Sequence, residues 1–258
     1  MTVSYLSSGS GHEAVVFLHG VGSGKEGWRA QEETVCSRGW RFIAVDAPGF
    51  GTSPLPDAPG FGPHVESLLE VVEKEQIKRL VICGHSLGGM TAQEFYAAHP
   101  ERVSGLVLSA TSPAFGKADG DFQKAFLKAR FEPFDNGMSM PEFARNFVGN
   151  LLGPDADDNH RQAVVDVMET VSVDAYRLSM RTITGFDQRA NLPNIAVPTL
   201  LISGEHDTNS PAKMMARMAQ HIPRAQYVEL PGTGHMAPIE SPSAFNHHLT
   251  TFLESLPT

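Results

Sequence analysis

The sequence predicts an α/β fold, in which a mostly parallel sheet is covered by helices on both faces. Short apolar segments rich in β-branched residues alternate with helix-like segments along most of the chain. This alternation stops once, in the middle, where several helical patterns follow one another without a convincing strand. With 258 residues, of which 41% are hydrophobic, the chain is long enough to bury a substantial core.

In the first part of the chain, strand-like segments alternate with helix-like ones. The predicted elements are, in order, a strand at 14–18, a helix at 28–38, a strand at 42–45, a helix at 65–75, a strand at 79–83, a helix at 90–98 and a strand at 105–109. Before residue 14 there is room for only one short strand.

Residues 112–191 are the all-helical stretch, called the helical insertion below. A capping box at Ser139 to Glu142 opens one of its helices, and Ser172 opens another. The alternation then resumes with a strand at 197–202, a helix capped by Ser210 with Pro211 at its first position and running to 222, a strand at 226–230 and a helix at 243–256. We therefore expect a core domain, residues 1–111 and 192–258, with the insertion as a cap over the carboxyl ends of the strands.

Charge and cysteine usage exclude several classes of partner. The net charge of −9 and the absence of a long basic run argue against nucleic acid and anionic membranes. Cys36 and Cys83 lie too far apart for a metal-type motif, and Cys83 is expected to be buried. Neither a signal-peptide pattern nor an 18-residue apolar run is found. We expect a cytoplasmic monomer or homodimer that acts on a small molecule without a metal or cofactor.

The most informative motif is the glycine-flanked turn at residues 84–89, which follows the predicted strand at 79–83 and precedes a helix. This context predicts a nucleophile elbow, a turn that exposes Ser86 Oγ at the carboxyl end of the sheet. The flanking glycines avoid collisions with the adjacent strand and helix, and the turn strains the serine backbone. The alternative is a tight turn whose serine only caps the helix.

Two further residues follow strand ends on the same edge of the sheet. Asp207 comes after the strand at 197–202, and His235 lies between a glycine and a helix start after the strand at 226–230. The chain order Ser86, Asp207, His235 is that expected for this type of site. His235 would take and return the serine proton while Asp207 orients the imidazole. Glu205 and His206 are weaker candidates in the acid loop.

An oxyanion also needs hydrogen-bond donors. The backbone N–H groups of Val21, in the loop after the first long strand, and of Leu87, after the serine, are the predicted pair. A phosphate-binding loop is the alternative at residues 20–25. It does not fit, because Glu26 follows Lys25 where a P-loop has serine or threonine.

At this point the chain resembles the α/β-hydrolase superfamily over nearly its whole length. The motifs that carry the resemblance are His19-Gly20, residues 46–53, 84–89 and 204–207, and Gly234-His235 with residues 238–242. The resemblance implies an α/β-hydrolase fold, a mostly parallel sheet with an all-helical cap, although the usual opening hairpin has room here for only one strand. Size, cap length and residues 180–187 are also similar to the 3-oxoadipate enol-lactonase and carboxylesterase group. That similarity implies hydrolysis of a small ester, lactone or enol-lactone.

The cap is expected to have an apolar underside. Eight of the 15 phenylalanines fall in the insertion, and we expect two or three of them to line the pocket. Trp28 is a further candidate for the pocket wall. Arg145, Arg177 and Arg181 could contact a substrate carboxylate, although solvated arginines are the favoured interpretation.

Other functions stay open at this level. Ser86 excludes relatives with this fold that use an aspartate nucleophile, whereas cofactor-free haloperoxidase-like relatives keep the same triad. Hydrolysis of a C–C bond in a ring-cleavage product, or of an amide, is the main alternative. A ligand receptor with a slow triad is a third, which is disfavoured because binding alone requires no serine in a strained turn.

Overall fold

In the computed structural model, residues 2–116 and 120–257 are described. Residues 1, 117–119 and 258, which fall within the predicted core domain and insertion, lie outside them. The described residues form one seven-stranded sheet in the order β1-β3-β2-β4-β5-β6-β7. The strands are β1 Tyr5–Ser8, β2 Glu13–Leu18, β3 Arg41–Val45, β4 Arg79–His85, β5 Val103–Ser109, β6 Thr199–Gly204 and β7 Ala225–Leu230. Only β1 is antiparallel to its neighbour, β3, so the predicted mostly parallel sheet is confirmed.

Helices cover both faces of the sheet, as predicted. Those of the core are α1 Arg29–Cys36, α2 Gly62–Lys74, α3 Leu87–Ala98, α8 Ala212–Ala219, α9 Ala237–Glu240 and α10 Pro242–Ser255. Alternate residues of β2 point to opposite faces, so that Val16 belongs to the apolar cluster formed with α2, α3 and α8, while Phe17 belongs to the cluster formed with α1 and α10 on the other face. Both faces of the central strands are therefore buried, which explains their continuous apolar sequences. Cys83 is buried in β4, as expected.

Between β5 and β6 the described residues form four α-helices, α4 Asp121–Asp135, α5 Met140–Phe147, α6 Asp158–Met168 and α7 Val173–Thr184. Both bonds of the predicted capping box are present at α5, where Ser139 and Glu142 exchange hydrogen bonds with each other's backbone N–H. Ser172 caps α7 by accepting the N–H of Ala175 at 3.1 Å. An apolar cluster of insertion residues packs on Val21, Leu87 and Met90 of the core, above the carboxyl ends of the strands.

Two local expectations were wrong. The helix predicted after Ser210 begins at Ala212 with Pro211 as its N-cap, and no side chain caps it. Ser210 instead belongs to the preceding loop, where its backbone N–H donates to Asp207 Oδ1 at 2.9 Å. The strand predicted at 197–202 begins at Thr199, because Pro198 has no N–H to donate to a ladder.

Candidate active site

Ser86 lies in a sharp turn between β4 and α3, with backbone angles φ 53° and ψ −115°. A positive φ is unusual and strained for a residue with a side chain. Hydrogen bonds hold the turn on both sides, since Ser86 N donates to Ser109 O at 2.9 Å and Thr111 Oγ1 donates to Ser86 O at 2.8 Å. The serine therefore has the strained strand-to-helix backbone that the sequence motif indicates.

The flanking glycines leave no room for side chains, as predicted. A Cβ added to Gly84 would lie 2.3 Å from Gly88 O, and one added to Gly88 would lie 2.0 Å from Leu18 O. These contacts are with backbone atoms of α3 and β2, which cannot move aside without displacing the helix from the sheet. The glycines thus bring the first turn of α3 against the strands and fix the position of Ser86.

Asp207 and His235 meet across the loops that follow β6 and β7. His235 Nδ1 lies 2.8 Å from Asp207 Oδ2, and both residues are buried. Asp207 Oδ1 accepts the N–H groups of Asn209, at 2.8 Å, and Ser210, at 2.9 Å. Burial by itself raises the pKa of Asp207, but the adjacent imidazole and these hydrogen bonds outweigh burial and hold the pKa below its usual value. The carboxylate is therefore charged at neutral pH and fixes one ring nitrogen of His235.

Ser86 and His235 line the same cavity, of about 130 Å³, which lies between the strand ends and the helical insertion. Among the described residues, no hydrogen bond joins Ser86 Oγ to His235. Glu205 and His206, the weaker candidates, are about half exposed, pair with each other at 3.6 Å and do not line this cavity.

The predicted oxyanion loop lies against the serine. A Cβ on Gly20 would lie 3.1 Å from Ser86 Cβ. His19 fixes the loop, because its Nδ1 bonds Gly20 O at 2.8 Å and its Nε2 accepts Ala47 N–H at 2.9 Å. In the described part of the chain, no hydrogen bond uses the N–H of Val21 or Leu87. Both donors are thus available beside Ser86.

Above the serine the cavity wall is mostly apolar. Three insertion phenylalanines line it, Phe115, Phe126 and Phe147, which confirms the expectation of two or three. Trp28 does not, and the expectation was wrong, because the short 3₁₀ helix Lys25–Trp28 turns its ring onto Phe17 and Phe245 in the core.

None of the three predicted arginines lines the cavity. Arg177 pairs with Asp135 at 2.6 Å, Arg145 approaches Glu169 at 3.9 Å, and Arg181 stacks on Phe131. The solvated interpretation of these residues is therefore the better one. The arginine that does line the cavity is Arg130, which sequence reasoning missed. Its spacing of four residues from Phe126 on α4 was a usable signal, because such residues share a helix face.

Sequence reasoning also missed Glu240, a buried carboxylate in α9. Its Oε2 accepts the N–H groups of Gly153, at 2.6 Å, and Gly234, at 2.9 Å, while Oε1 accepts that of Met236, at 2.7 Å. Two of these donors flank His235, and the third belongs to the insertion. Residues 231–236, which contain His235, are called the histidine loop below. Glu240 and a 2.6 Å hydrogen bond from His235 N to Leu151 O together connect this loop to the insertion. The sequence signal for a buried carboxylate here was its position directly after the apolar residues 236–239.

Two features of the described residues bear on metals and membranes. In residues 2–116 and 120–257, no three His, Cys, Asp or Glu side chains are grouped so that they could hold a metal ion. Within the same ranges no helix has both the length and the apolarity to cross a membrane.

Known proteins with similar sequences include several hydrolases. The chain is 31% identical to a 2-hydroxy-6-oxononadienedioate/2-hydroxy-6-oxononatrienedioate hydrolase of Cupriavidus pinatubonensis, over 95% of this chain and 88% of that protein. It is 27% identical to a pimeloyl-[acyl-carrier protein] methyl ester esterase of Pectobacterium atrosepticum, over 97% and 98% of the two chains.

Solved structures show the same architecture. The enol-lactonase from Burkholderia xenovorans LB400 superimposes with a TM-score of 0.86 at 26% identity, covering 98% of this chain and 96% of that one. The family model described as alpha/beta hydrolase fold matches residues 13–242. The chain therefore belongs to the α/β-hydrolase family.

Proposed function

We propose that this protein is a serine hydrolase that cleaves a small carboxylic ester, lactone or enol-lactone. The observation that carries the proposal is the shared cavity, which is lined by the strained Ser86 and by His235, whose Nδ1 is bonded to Asp207. Its family membership and its relatives, which include an esterase and an enol-lactonase, support a hydrolase.

In the proposed reaction, Ser86 Oγ attacks the substrate carbonyl carbon while His235 Nε2 takes the hydroxyl proton. Asp207 holds the opposite ring nitrogen and stabilises the imidazolium without itself being protonated. The N–H groups of Val21 and Leu87 bind the oxyanion. His235 then gives its proton to the leaving alkoxide oxygen, which leaves an acyl-enzyme. Water, deprotonated by the same histidine, releases the acid and restores Ser86.

The proposed proton transfer requires Ser86 Oγ and His235 Nε2 to come within hydrogen-bond reach. Catalytic hydrogen bonds commonly tighten only when substrate binds. Ser86 Oγ takes part in no hydrogen bond within the described residues, so none has to be broken for it to bond His235 Nε2.

Cleavage of a C–C bond in a ring-cleavage product is a second candidate. It is favoured by the 31% identical relative from Cupriavidus pinatubonensis, whose name gives a hydroxy-oxo-dienedioate as its substrate. In this chain the same serine and histidine would act on a ketone carbonyl, with a carbon leaving group in place of an alkoxide.

One substrate panel separates the two candidates. Wild type, Ser86→Ala and a control, Ser37→Ala, are assayed with short-chain aryl esters, simple lactones, an enol-lactone, an amide and a ring-fission dienol acid. Ser37 is an exposed serine bonded to its own helix, at Thr34 O. Ester or lactone turnover that only Ser86→Ala abolishes supports the proposal. Turnover of the dienol acid alone favours the second candidate, and full activity in Ser86→Ala overturns both.

A further inference from the structure

Three polar side chains interrupt the apolar wall that the helical insertion presents to the cavity: Ser112, Arg130 on α4 and Tyr176 on α7. The Ser112 hydroxyl donates to Ala114 O at 3.1 Å, whereas Arg130 and Tyr176 have no such partner among the described residues. Around them the wall consists mainly of phenylalanine, methionine and aliphatic side chains. Polar groups in such a wall are the ones that orient and select a ligand.

Arg130 carries a charge that no carboxylate neutralises within residues 2–116 and 120–257. Two aromatic rings hold it instead, since its guanidinium carbon lies 4.4 Å from the centroid of Phe147 and 5.2 Å from that of Phe126. Stacking on ring faces fixes the guanidinium plane and leaves its N–H groups able to donate to an anion. Arg177, on the outer side of the same insertion, is by contrast paired with Asp135.

Tyr176 is buried to 1% exposure, yet its hydroxyl has no hydrogen-bond partner among the described residues. An unpaired buried hydroxyl is unfavourable, so a ligand that supplies an acceptor for it is bound more tightly. Burial raises the pKa of Tyr176 to about 12, against a smaller lowering by the positive charge of Arg130. The hydroxyl therefore keeps its proton and can donate it.

We propose that Arg130 and Tyr176 together bind a carboxylate carried by the substrate. This proposal rests on the proposed function and names its substrate class: an ester, lactone or enol-lactone that carries a free carboxylate in addition to its scissile bond, as a half-ester of a dicarboxylic acid does. Its free carboxylate accepts from the guanidinium and the phenol under the insertion, and its scissile carbonyl is directed to Ser86. The chain's net charge of −9 does not oppose this, because Arg130 acts at contact distance inside an apolar cavity.

The expected preference for a substrate with a free carboxylate is tested by turnover of two esters of equal chain length, mono-p-nitrophenyl glutarate and p-nitrophenyl pentanoate. The readout is the ratio of their kcat/KM values. We expect wild type to favour the glutarate ester, and Arg130→Met to lower the ratio about 10- to 100-fold, the range for a lost charge-assisted hydrogen bond. Tyr176→Phe should lower it about 3- to 10-fold, and Arg130→Lys should restore part of it. Arg145→Met, the control on an exposed insertion arginine, should leave it unchanged.

A binding experiment separates failure of this proposal from failure of the proposed function. Calorimetry measures the Kd of glutarate and of pentan-1-ol, a comparator without a carboxylate, for Ser86→Ala, with and without Arg130→Met or Tyr176→Phe, after circular dichroism has shown that each variant is folded. Glutarate binding that weakens in both double variants supports the carboxylate site even if no ester is turned over. A glutarate Kd unchanged by both substitutions, or an unchanged kcat/KM ratio, overturns it.

Discussion

Replacing Glu240 by glutamine should reveal how much the histidine loop depends on one buried carboxylate. The carboxylate accepts three N–H groups, from Gly153, Gly234 and Met236. In Glu240→Gln the amide oxygen can keep the position of Oε2, which leaves Met236 N–H facing an amide NH₂. That unpaired donor costs about 1–3 kcal/mol, and the two remaining bonds lose about 1 kcal/mol each because they are no longer to a charged group.

The expected loss in the free energy of unfolding is therefore about 3–5 kcal/mol, which is a large part of the total of about 5–15 kcal/mol typical of a domain. Urea unfolding followed by circular dichroism measures it. Glu205→Gln is the matched control, because Glu205 accepts a single N–H, from Gly232 at 2.9 Å, in the same loop region but is 48% exposed. Its loss should stay within about 0.5 kcal/mol, as for most surface substitutions.

Activity should fall as well, because Gly234 and Met236 flank His235. A displacement of the base of about 1 Å can cost 10²-fold in rate, so kcat of Glu240→Gln should fall about 10- to 100-fold even at temperatures where the variant is folded. If Glu240→Gln loses no more stability than Glu205→Gln and keeps wild-type kcat, Glu240 does not position His235.

The remaining predictions concern the elbow, the acid and a buried histidine. Gly88→Ala should lower the free energy of unfolding by several kcal/mol or prevent folding, because the added Cβ would lie 2.0 Å from Leu18 O. Gly62→Ala is the control, because it has open space around it and should unfold like wild type in the same urea titration. Asp207→Asn should stay folded by circular dichroism but lose on the order of 10⁴-fold in kcat, and near-normal turnover would refute its orienting role. Burial lowers the pKa of His64 to about 3 in the folded protein. Because the unfolded chain binds a proton at His64 more readily than the folded protein does, the free energy of unfolding declines as pH falls below about 6.5. Between pH 6 and 4, the slope of the free energy of unfolding against pH should be smaller in His64→Gln than in wild type by about 1.4 kcal/mol per pH unit, as measured by urea unfolding at each pH. Identical slopes in the two proteins would contradict this role of His64.

The parts of the site that sequence predicted are those fixed by local sequence. Ser86, Asp207 and His235 each follow an apolar strand by only a few residues, so that the strand ends alone place them on one edge of the sheet. The elbow glycines were predictable for the same reason, since a short turn between a strand and a helix leaves little space. Their catalytic roles remain predictions until activity is measured.

The parts that sequence missed depend on packing between distant segments. The four-residue spacing of Phe126 and Arg130 indicates that they share a helix face, but which face meets the cavity is decided by how α4 and α7 pack against the core. Glu240 bonds Gly153, 87 positions away, which no local pattern could indicate. Trp28 was misplaced because a single 3₁₀ turn redirects its ring into the core.

The most direct test of the account is whether Ser86 becomes acylated. Wild type is mixed with a p-nitrophenyl ester, quenched with acid within milliseconds, and examined by intact-mass and peptide mass spectrometry. The account predicts a mass increase equal to the acyl group, on the peptide that contains Ser86, absent in Ser86→Ala and unchanged in Ser37→Ala. Ester turnover by wild type with the acyl group on another residue, or sustained by Ser86→Ala, would contradict it.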